Sequence, residues 1–380
     1  YFHIPFCSHK CGYCNLFSLQ TNRTEYIATY LDTLHRQAQQ LSPLTAGLTF
    51  DSFAIGGGTP LLLTVPQLEQ LMATAALFGV HPSHAFTSVE TSPEYADRPR
   101  LNVLKKAGVS RVSIGIQSFQ DEELKAIKRR PRQNTIYQAL DDIRQMDFPY
   151  FNIDLIYGIK GQTVESFLYS LEEALRFQPN ELFIYPLYVR QGTGITEREP
   201  DDVCFRMYRA ACKLLQAKGF LQTSMRRFIH HPSTDAEVSC GDEVMLSCGS
   251  GGRSYLGDLH YATRYTVCQQ CIAREIDEYM ATTDFTVARN GFILSAKEQQ
   301  QRFIIKNLMY YMGIDKAEYT RRFGEPLDRT PLFRQLAEQY WIEETPERIR
   351  LTPEGLGYSD YIGQLFITPE IRQLMETYSY

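Results

Sequence analysis

Over residues 1–218 the chain alternates between two hydrophobic periods. Short apolar runs rich in β-branched and aromatic residues recur at Tyr1–Phe6, Leu48–Ile55, Ala85–Thr91, Arg111–Ile116, Tyr150–Tyr157 and Glu181–Leu187. Between them lie stretches whose apolar residues fall three and four apart. These are Thr24–Gln40, Val65–Phe78, Arg98–Ala107, Asp121–Lys128 with Asn134–Met146, Thr163–Phe177 and Pro200–Lys218. The first set predicts strands and the second amphipathic helices. Regular alternation of the two predicts parallel strands joined by right-handed crossovers. A closed eight-unit barrel takes about 250 residues. The six units therefore predict an α/β fold, a partial (β/α)6 barrel, with ligands gathered at the C-terminal ends of its strands.

The pattern changes after residue 218. Residues 219–295 carry Ser-Cys-Gly and Gly-Gly-Arg turns and no repeating unit, and read as an irregular, substrate-facing segment. From Ala296 the helical period returns at Lys297–Met312, Asp315–Phe323 and Leu332–Gln339. A hairpin-like piece, Tyr340–Leu351, turns at Pro346-Glu347, and Thr352-Pro353-Glu354-Gly355 opens a last helix. Three helices and a hairpin predict a small helical, winged-helix-like C-terminal domain over residues 296–380. Fold does not decide function, and a lid or substrate-docking role is the expectation here.

Composition narrows the function classes. The chain has 380 residues, 43% of them hydrophobic and 22% charged, which suits a globular protein of one large and one smaller domain. A formal net charge of −5 offers no electrostatic reason for a nucleic-acid partner. No apolar run approaches the roughly 18 residues that span a bilayer. No secretory signal peptide is visible, although the sequence opens at Tyr1 without a methionine. Nine cysteines, an odd number in a chain this long, point to a reducing compartment, and the expected location is cytoplasmic.

Three of those cysteines carry the candidate chemistry. Cys7, Cys11 and Cys14 follow Ile4-Pro5-Phe6 in the run YFHIPFCSHKCGYCNLFS. One reading is a structural zinc site, Cys3His, completed by His3 or His9. Structural zinc sites usually draw on two separated knuckles, and no second knuckle is near. The other reading is an iron–sulfur cluster. A cubane takes four ligands, so three thiolates leave one iron open to something other than protein.

The C-x3-C-x2-C spacing directly after a first strand resembles the signature of radical S-adenosylmethionine (SAM) enzymes. Later strand ends agree with it: Gly56-Gly57-Gly58-Thr59-Pro60, Ser88-Val89-Glu90, Ser113-Ile114-Gly115-Ile116-Gln117-Ser118-Phe119, Asn152-Ile153-Asp154-Leu155-Ile156-Tyr157-Gly158 and Tyr185-Pro186-Leu187. Together they resemble the HemN-like branch of that superfamily. It includes the oxygen-independent coproporphyrinogen oxidase, the haem chaperone HemW and the class C methyltransferases. The resemblance implies one [4Fe-4S] cluster and one SAM, with a second SAM in the class C variant. It further implies an electron donor of flavodoxin or ferredoxin type and a small-molecule or porphyrin-like substrate. Carried over by position, Tyr1 would flank the cluster and Cys7, Cys11 and Cys14 would bind it. Gly57, Gly58 and Thr59 would meet SAM, and Glu90 and Gln117 its polar groups. Arg129 would face the SAM carboxylate, Asp154 the ribose or amino region, and Tyr185 completes the cofactor-facing set.

Two departures bear on the reaction. Cys14 is followed by Asn15-Leu16, without the oxidase's fourth cysteine two residues on, and the HemW-type His-Asn-x-x-Tyr-Trp segment is missing. Methyl transfer of the class C kind is therefore the leading expectation, with haem binding or porphyrin oxidation as the alternatives. Asp154 lies in an apolar run and needs a partner, a ligand or a residue such as Arg129. Lys125, Lys128 and Arg130 read as a solvated helix end. The His230-His231 pair reads as a solvated loop pair or as candidate haem ligands or proton donors. Cys248 reads as a buried structural thiol, and Cys268-Gln269-Gln270-Cys271 as a CxxC without a matching second pair.

Overall fold

The computed structural model describes residues 1–80, 85–129, 132–230, 244–327 and 330–377. Arg130 and His231 lie outside the described residues. The chain divides into two compact units, Tyr1–Met207 with Pro232–Phe292, and Tyr208–His231 with Ile293–Tyr380.

The first unit is built on six parallel strands in chain order: β1 (Phe2–Ile4), β2 (Ser52–Gly57), β3 (Phe86–Thr91), β4 (Arg111–Gln117), β5 (Tyr150–Tyr157) and β6 (Glu181–Pro186). Each pairs with the next, from Phe2 opposite Ile55 in β1–β2 to Tyr157 opposite Pro186 in β5–β6. Most residues of the central strands are buried because helices cover a parallel sheet, the polar ones among them included. Those helices are α1 (Thr24–Leu41), α2 (Val65–Ala76), α3 (Arg98–Lys106), α4 (Asp121–Ala126), α5 (Gln133–Met146) and α6 (Val164–Leu175); α7 (Asp201–Ala217) follows β6 in the chain. α1 buries Ile27, Tyr30, Leu31, Leu34 and Ala38 along one stripe. Local chemistry sets helix starts: Asp97 accepts from the Arg100 amide at α3, and Thr163 and Ser166 form a capping box at α6. The alternation read from the sequence is this partial (β/α)6 barrel.

Residues 244–293 are more regular than their pattern predicts. Val244–Met245, Arg253–Leu256, Leu259–Ala262 and Gly291–Ile293 form an antiparallel sheet, and α8 spans Gln269–Ala281. Strands of two to four residues carry no readable period. Cys248 joins the edge of β1, where it bridges Phe2. Its amide donates to the Tyr1 carbonyl at 2.8 Å, and its carbonyl accepts from the His3 amide at 2.9 Å. The Cys248 side chain is buried, a structural thiol.

In the second unit, helices Ala296–Leu308, Lys316–Phe323 and Pro331–Glu338 pack with a three-stranded sheet ordered Ile314–Asp315, Arg348–Leu351, Ile342–Glu344. Phe303, Leu308, Ile314, Phe333, Leu336 and Ile349 form its core. Three helices with a β wing match the winged-helix-like expectation. No helix among the described residues is long and apolar enough to cross a membrane.

One close approach controls the sheet's first edge. β2 runs on past Gly57, so that the Gly58 amide donates to the Ile4 carbonyl and the Thr59 amide to the Phe6 carbonyl, both at 2.8 Å. A Cβ on Gly58 would sit on the Phe6 carbonyl and 2.9 Å from the Cys7 sulfur. Gly57 has φ +118°, open to glycine and strained for other residues. Gly58→Ala is expected to cost about 1–3 kcal/mol by overpacking. Urea unfolding midpoints of the two proteins check this, and equal midpoints would show that the loop yields freely.

Candidate functional site

The three cysteines lie on a loop tied down at both ends and in the middle. Phe6-Cys7 pairs with Leu19-Gln20, closing the loop at its base. Midway, the Gly12 amide donates to the Ile127 carbonyl at 2.9 Å, and the Gly12 carbonyl accepts from the Gly194 amide at 2.7 Å. Ile127 follows α4 and Gly194 follows β6, so the loop is held by segments beyond the C-terminal ends of the strands.

Each thiol has a polar neighbour. Cys7 Sγ is 3.5 Å from the Thr59 hydroxyl, Cys14 Sγ is 4.0 Å from the Ser18 hydroxyl, and Arg129 Nη1 donates to Cys11 Sγ at 3.6 Å. Burial pushes the Cys7 thiol up to about 11 and raises Cys14 as well. These thiols thus favour the protonated form until a cation compensates them. Neither histidine considered for zinc completes a tetrahedral set. His3 sits 2.9 Å from the Phe17 carbonyl through Nε2 and 3.1 Å from the Tyr1 hydroxyl through Nδ1. A carbonyl only accepts, so Nε2 carries the proton and Nδ1 accepts from Tyr1. Desolvation holds the His3 ring neutral, its value lowered to about 4. His9 Nε2 donates to the Lys128 carbonyl at 2.7 Å. Among the described residues no trio of His, Cys, Asp or Glu converges tightly enough for a single ion. Thiols spread over separate irons of a cubane need no such convergence.

Arg129 is the cation of the site. Only 9% exposed, it bonds Cys11, donates to the Tyr13 hydroxyl at 3.4 Å through Nη1, and reaches the Gly115 carbonyl of β4 through Nη2. Its Nε is buried and has no hydrogen-bond partner among the described residues. An unsatisfied guanidinium N–H in such a place suits an incoming anion such as a carboxylate. Arg129 does not pair with Asp154. Instead the Asp154 carboxylate accepts from Asn152 Nδ2 at 2.7 Å and the Ser113 hydroxyl at 3.4 Å. Of the other basic residues in that run, Lys125 pairs with Glu122 on the surface.

The remaining positions fall at strand ends. Gln117 ends β4 in the left-handed region, φ +76°, beside the register shift between Gly115 and Gln117. That conformation costs about 1–3 kcal/mol in a non-glycine residue, and neighbouring structure enforces it. Tyr1 and Glu90 flank Gly56, since a Cβ there would lie 3.0 Å from the Tyr1 hydroxyl and 2.9 Å from Glu90 Oε2. Tyr185, near the end of β6, stacks on Phe183 at 5.7 Å. The amides of Gly58 and Thr59 are already committed to the chain, so Gly57 and Gly58 serve first to bring β2 against the thiol loop. The pattern of the sequence did not single out Tyr13, Ser113, Asn152 or Ser18. They carry no motif of their own and matter through what they touch. His230 is exposed, with Phe220 edge-on at 5.0 Å.

The chain belongs to the radical SAM superfamily, in its HemN/HemW branch, whose cofactors are a [4Fe-4S] cluster and SAM. The Radical SAM superfamily profile matches residues 1–174, and the HemN C-terminal domain profile matches residues 294–357. The oxygen-independent coproporphyrinogen III oxidase of Salmonella typhimurium is 31% identical over 389 residues, covering 93% of this chain and 82% of that protein. The heme chaperone HemW of Bacillus subtilis is 27% identical over 384 residues, 96% of this chain and 99% of its own. The solved structure of the coproporphyrinogen III oxidase HemN from Escherichia coli superposes with a TM-score of 0.82 at 22% identity, over 97% of this chain and 89% of that one.

Two strand carboxyls, Glu90 exposed and Asp154 half-buried, give the site a pH signature. Desolvation, then the nearby Asp154 charge, pushes Glu90 up from 4.5 to about 7. Glu90 is exposed at its strand end, so water moderates the size of that shift and leaves its direction. Desolvation likewise pushes Asp154 up to about 6. Raised folded-state values favour the protonated forms. Their contribution to stability is complete below about pH 4 and is lost as pH rises toward 7. The ligand-free chain should therefore melt lower at about pH 8 than at about pH 5, and Glu90→Gln/Asp154→Asn should flatten that fall. Parallel melting profiles for the two proteins would refute it.

Proposed function

We propose that the chain is a radical SAM enzyme acting on a tetrapyrrole-class substrate, with Cys7, Cys11 and Cys14 holding the cluster. The observation that carries the reading is the placement of Arg129. It lies on the Cys11 sulfur, with its Nε unsatisfied, at the end of a parallel strand. A fixed guanidinium beside an iron-binding thiol suits a ligand that brings a carboxylate to that iron. When bound, the cluster supplies the electron that cleaves the SAM sulfonium to methionine and a 5′-deoxyadenosyl radical.

The protein's part is binding, orientation and exclusion of water. Thr59 and Ser18 hydroxyls face the Cys7 and Cys14 sulfurs and stabilise their deprotonated forms. In this reading Gly57 and Gly58 shape the floor and Glu90 and Gln117 meet the polar groups of SAM. Asp154, oriented by Ser113 and Asn152, takes the ribose or amino region, while Tyr1 flanks the cluster and Tyr185 completes the cofactor-facing set. Likeness to the oxidase and to HemW along nearly the whole chain supports the tetrapyrrole class. The near full-length match to HemW favours haem binding as a second reading. Methyl transfer through a second SAM is the third, and the relatives named above are an oxidase and a haem chaperone.

Anaerobic incubation of the cluster-loaded protein with SAM, dithionite and coproporphyrinogen III separates these. Formation of 5′-deoxyadenosine coupled to loss of the propionate carboxyls supports the oxidase. S-adenosylhomocysteine beside 5′-deoxyadenosine would select methyl transfer. No nucleoside product there, with stoichiometric haem uptake in a separate haem titration, would select the chaperone. Arg129→Met should weaken SAM binding about 10- to 100-fold, the loss of one charge-assisted hydrogen bond. Calorimetry with unchanged affinity would remove Arg129 from its assigned role.

A further inference from the structure

Beyond the three cysteines of the first loop, a pair of cysteines is placed for thiol–disulfide chemistry. Cys268 is the N-cap of α8 and Cys271 its third helical residue, one turn along. Residues so spaced fall within the roughly 4.4–6.8 Å Cα separation that a disulfide bridges. Cys268 is exposed and Cys271 buried, so one sulfur faces solvent and the other stands behind it. Arg274 Nη2 donates to Cys271 Sγ at 3.4 Å, placing a cation at the inner sulfur. The Cys271 thiol, hydrogen-bonding toward its neighbour, and amides of the first helical turn draw the Cys268 thiol below the ordinary cysteine value. Burial moves three other described thiols outside the first loop the opposite way: Cys204 is raised, Cys212 is pushed up to about 11 and Cys248 to about 12. The pair also has a fixed seat. Gln269, between the two cysteines, donates to the Ser18 carbonyl at 2.9 Å and accepts from the Gln20 amide at 2.8 Å, pinning the start of α8 to the end of the three-thiol loop.

We propose that Cys268 and Cys271 form a thiol–disulfide exchange site for low-molecular-weight disulfides, with Cys268 the attacking sulfur and Cys271 the resolving one. Cys268 gives its proton to solvent and its thiolate attacks one sulfur of the small disulfide. A Cys268–S–S–R bond forms, the S–S bond of the small molecule breaks, and the first thiol leaves after taking up a proton. Cys271 then loses its proton and attacks Cys268 Sγ, breaking the mixed disulfide and releasing the second thiol. The protein dithiol is oxidised by two electrons and the small disulfide is reduced to two thiols. The reverse sequence, run by excess thiol, restores the dithiol. This site rests on its own geometry and is independent of the reaction proposed above.

The test is an anaerobic redox titration of the cluster-loaded protein in glutathione/glutathione-disulfide buffers, with acid quench, alkylation and peptide mass mapping. The expected result is one two-electron transition in the peptide bearing Cys268 and Cys271, while Cys204, Cys212 and Cys248 stay alkylatable. Cys271→Ser should trap glutathione on Cys268, and Cys268→Ser should leave Cys271 alkylatable at every ratio. Both thiols remaining reduced across the titration would overturn the proposal. So would a Cys271→Ser variant that captures no glutathione, or Cys268→Ser oxidising at Cys271 as readily as the wild type.

Discussion

The site depends on one backbone constraint, the parallel pairing of β1 with β2 and its continuation past both strand ends. Ile4 and Phe6 offer carbonyls to the amides of Gly58 and Thr59, and that ladder carries the chain into the cysteine loop at a fixed place. Two glycines make the approach feasible, because a side chain at Gly58 would collide with the Phe6 carbonyl. The same ladder puts the Thr59 hydroxyl beside Cys7. Without it the thiols would belong to a flexible loop rather than to the rim of the sheet.

Around that frame the electrostatics are arranged for an occupant. Burial holds His3 neutral and favours protonated Cys7, Asp154 and Glu90. Arg129 is a buried cation with an open donor. A cluster and a ligand carrying both ammonium and carboxylate groups would bring the countercharges this set lacks. Occupancy and stability are therefore linked, since whatever binds the folded site and not the unfolded chain stabilises the fold. The polar network of Ser113, Asn152 and Asp154 shows how the sheet prepares for this, orienting a carboxylate before any ligand arrives.

Likeness to the oxidase and the chaperone extends over nearly the whole chain, whereas the departures are local. Ser247–Gly252 packs against β1, where Cys248 bridges Phe2, and a Cβ on Gly251 would strike the His3 ring. A shared frame with a changed lining is how related enzymes come to differ in reaction while keeping the cofactor chemistry.

The sequence by itself determined the alternation of strands and helices, the C-terminal helices with their β wing, and the three-thiol spacing. Each is a local pattern set by hydrophobic period or by ligand separation along a few residues, and such signals survive without knowledge of contacts. Only the tertiary structure decided that Arg129, of a run of basic residues, turns inward to a sulfur 118 residues away. It alone decided that Asp154 is served by Ser113 and Asn152 rather than by Arg129, that Gln117 takes a left-handed turn, and that the middle segment holds a small sheet. Burial and partner choice arise from chain crossings between distant residues, and neither composition nor spacing records which side chains those crossings bring together.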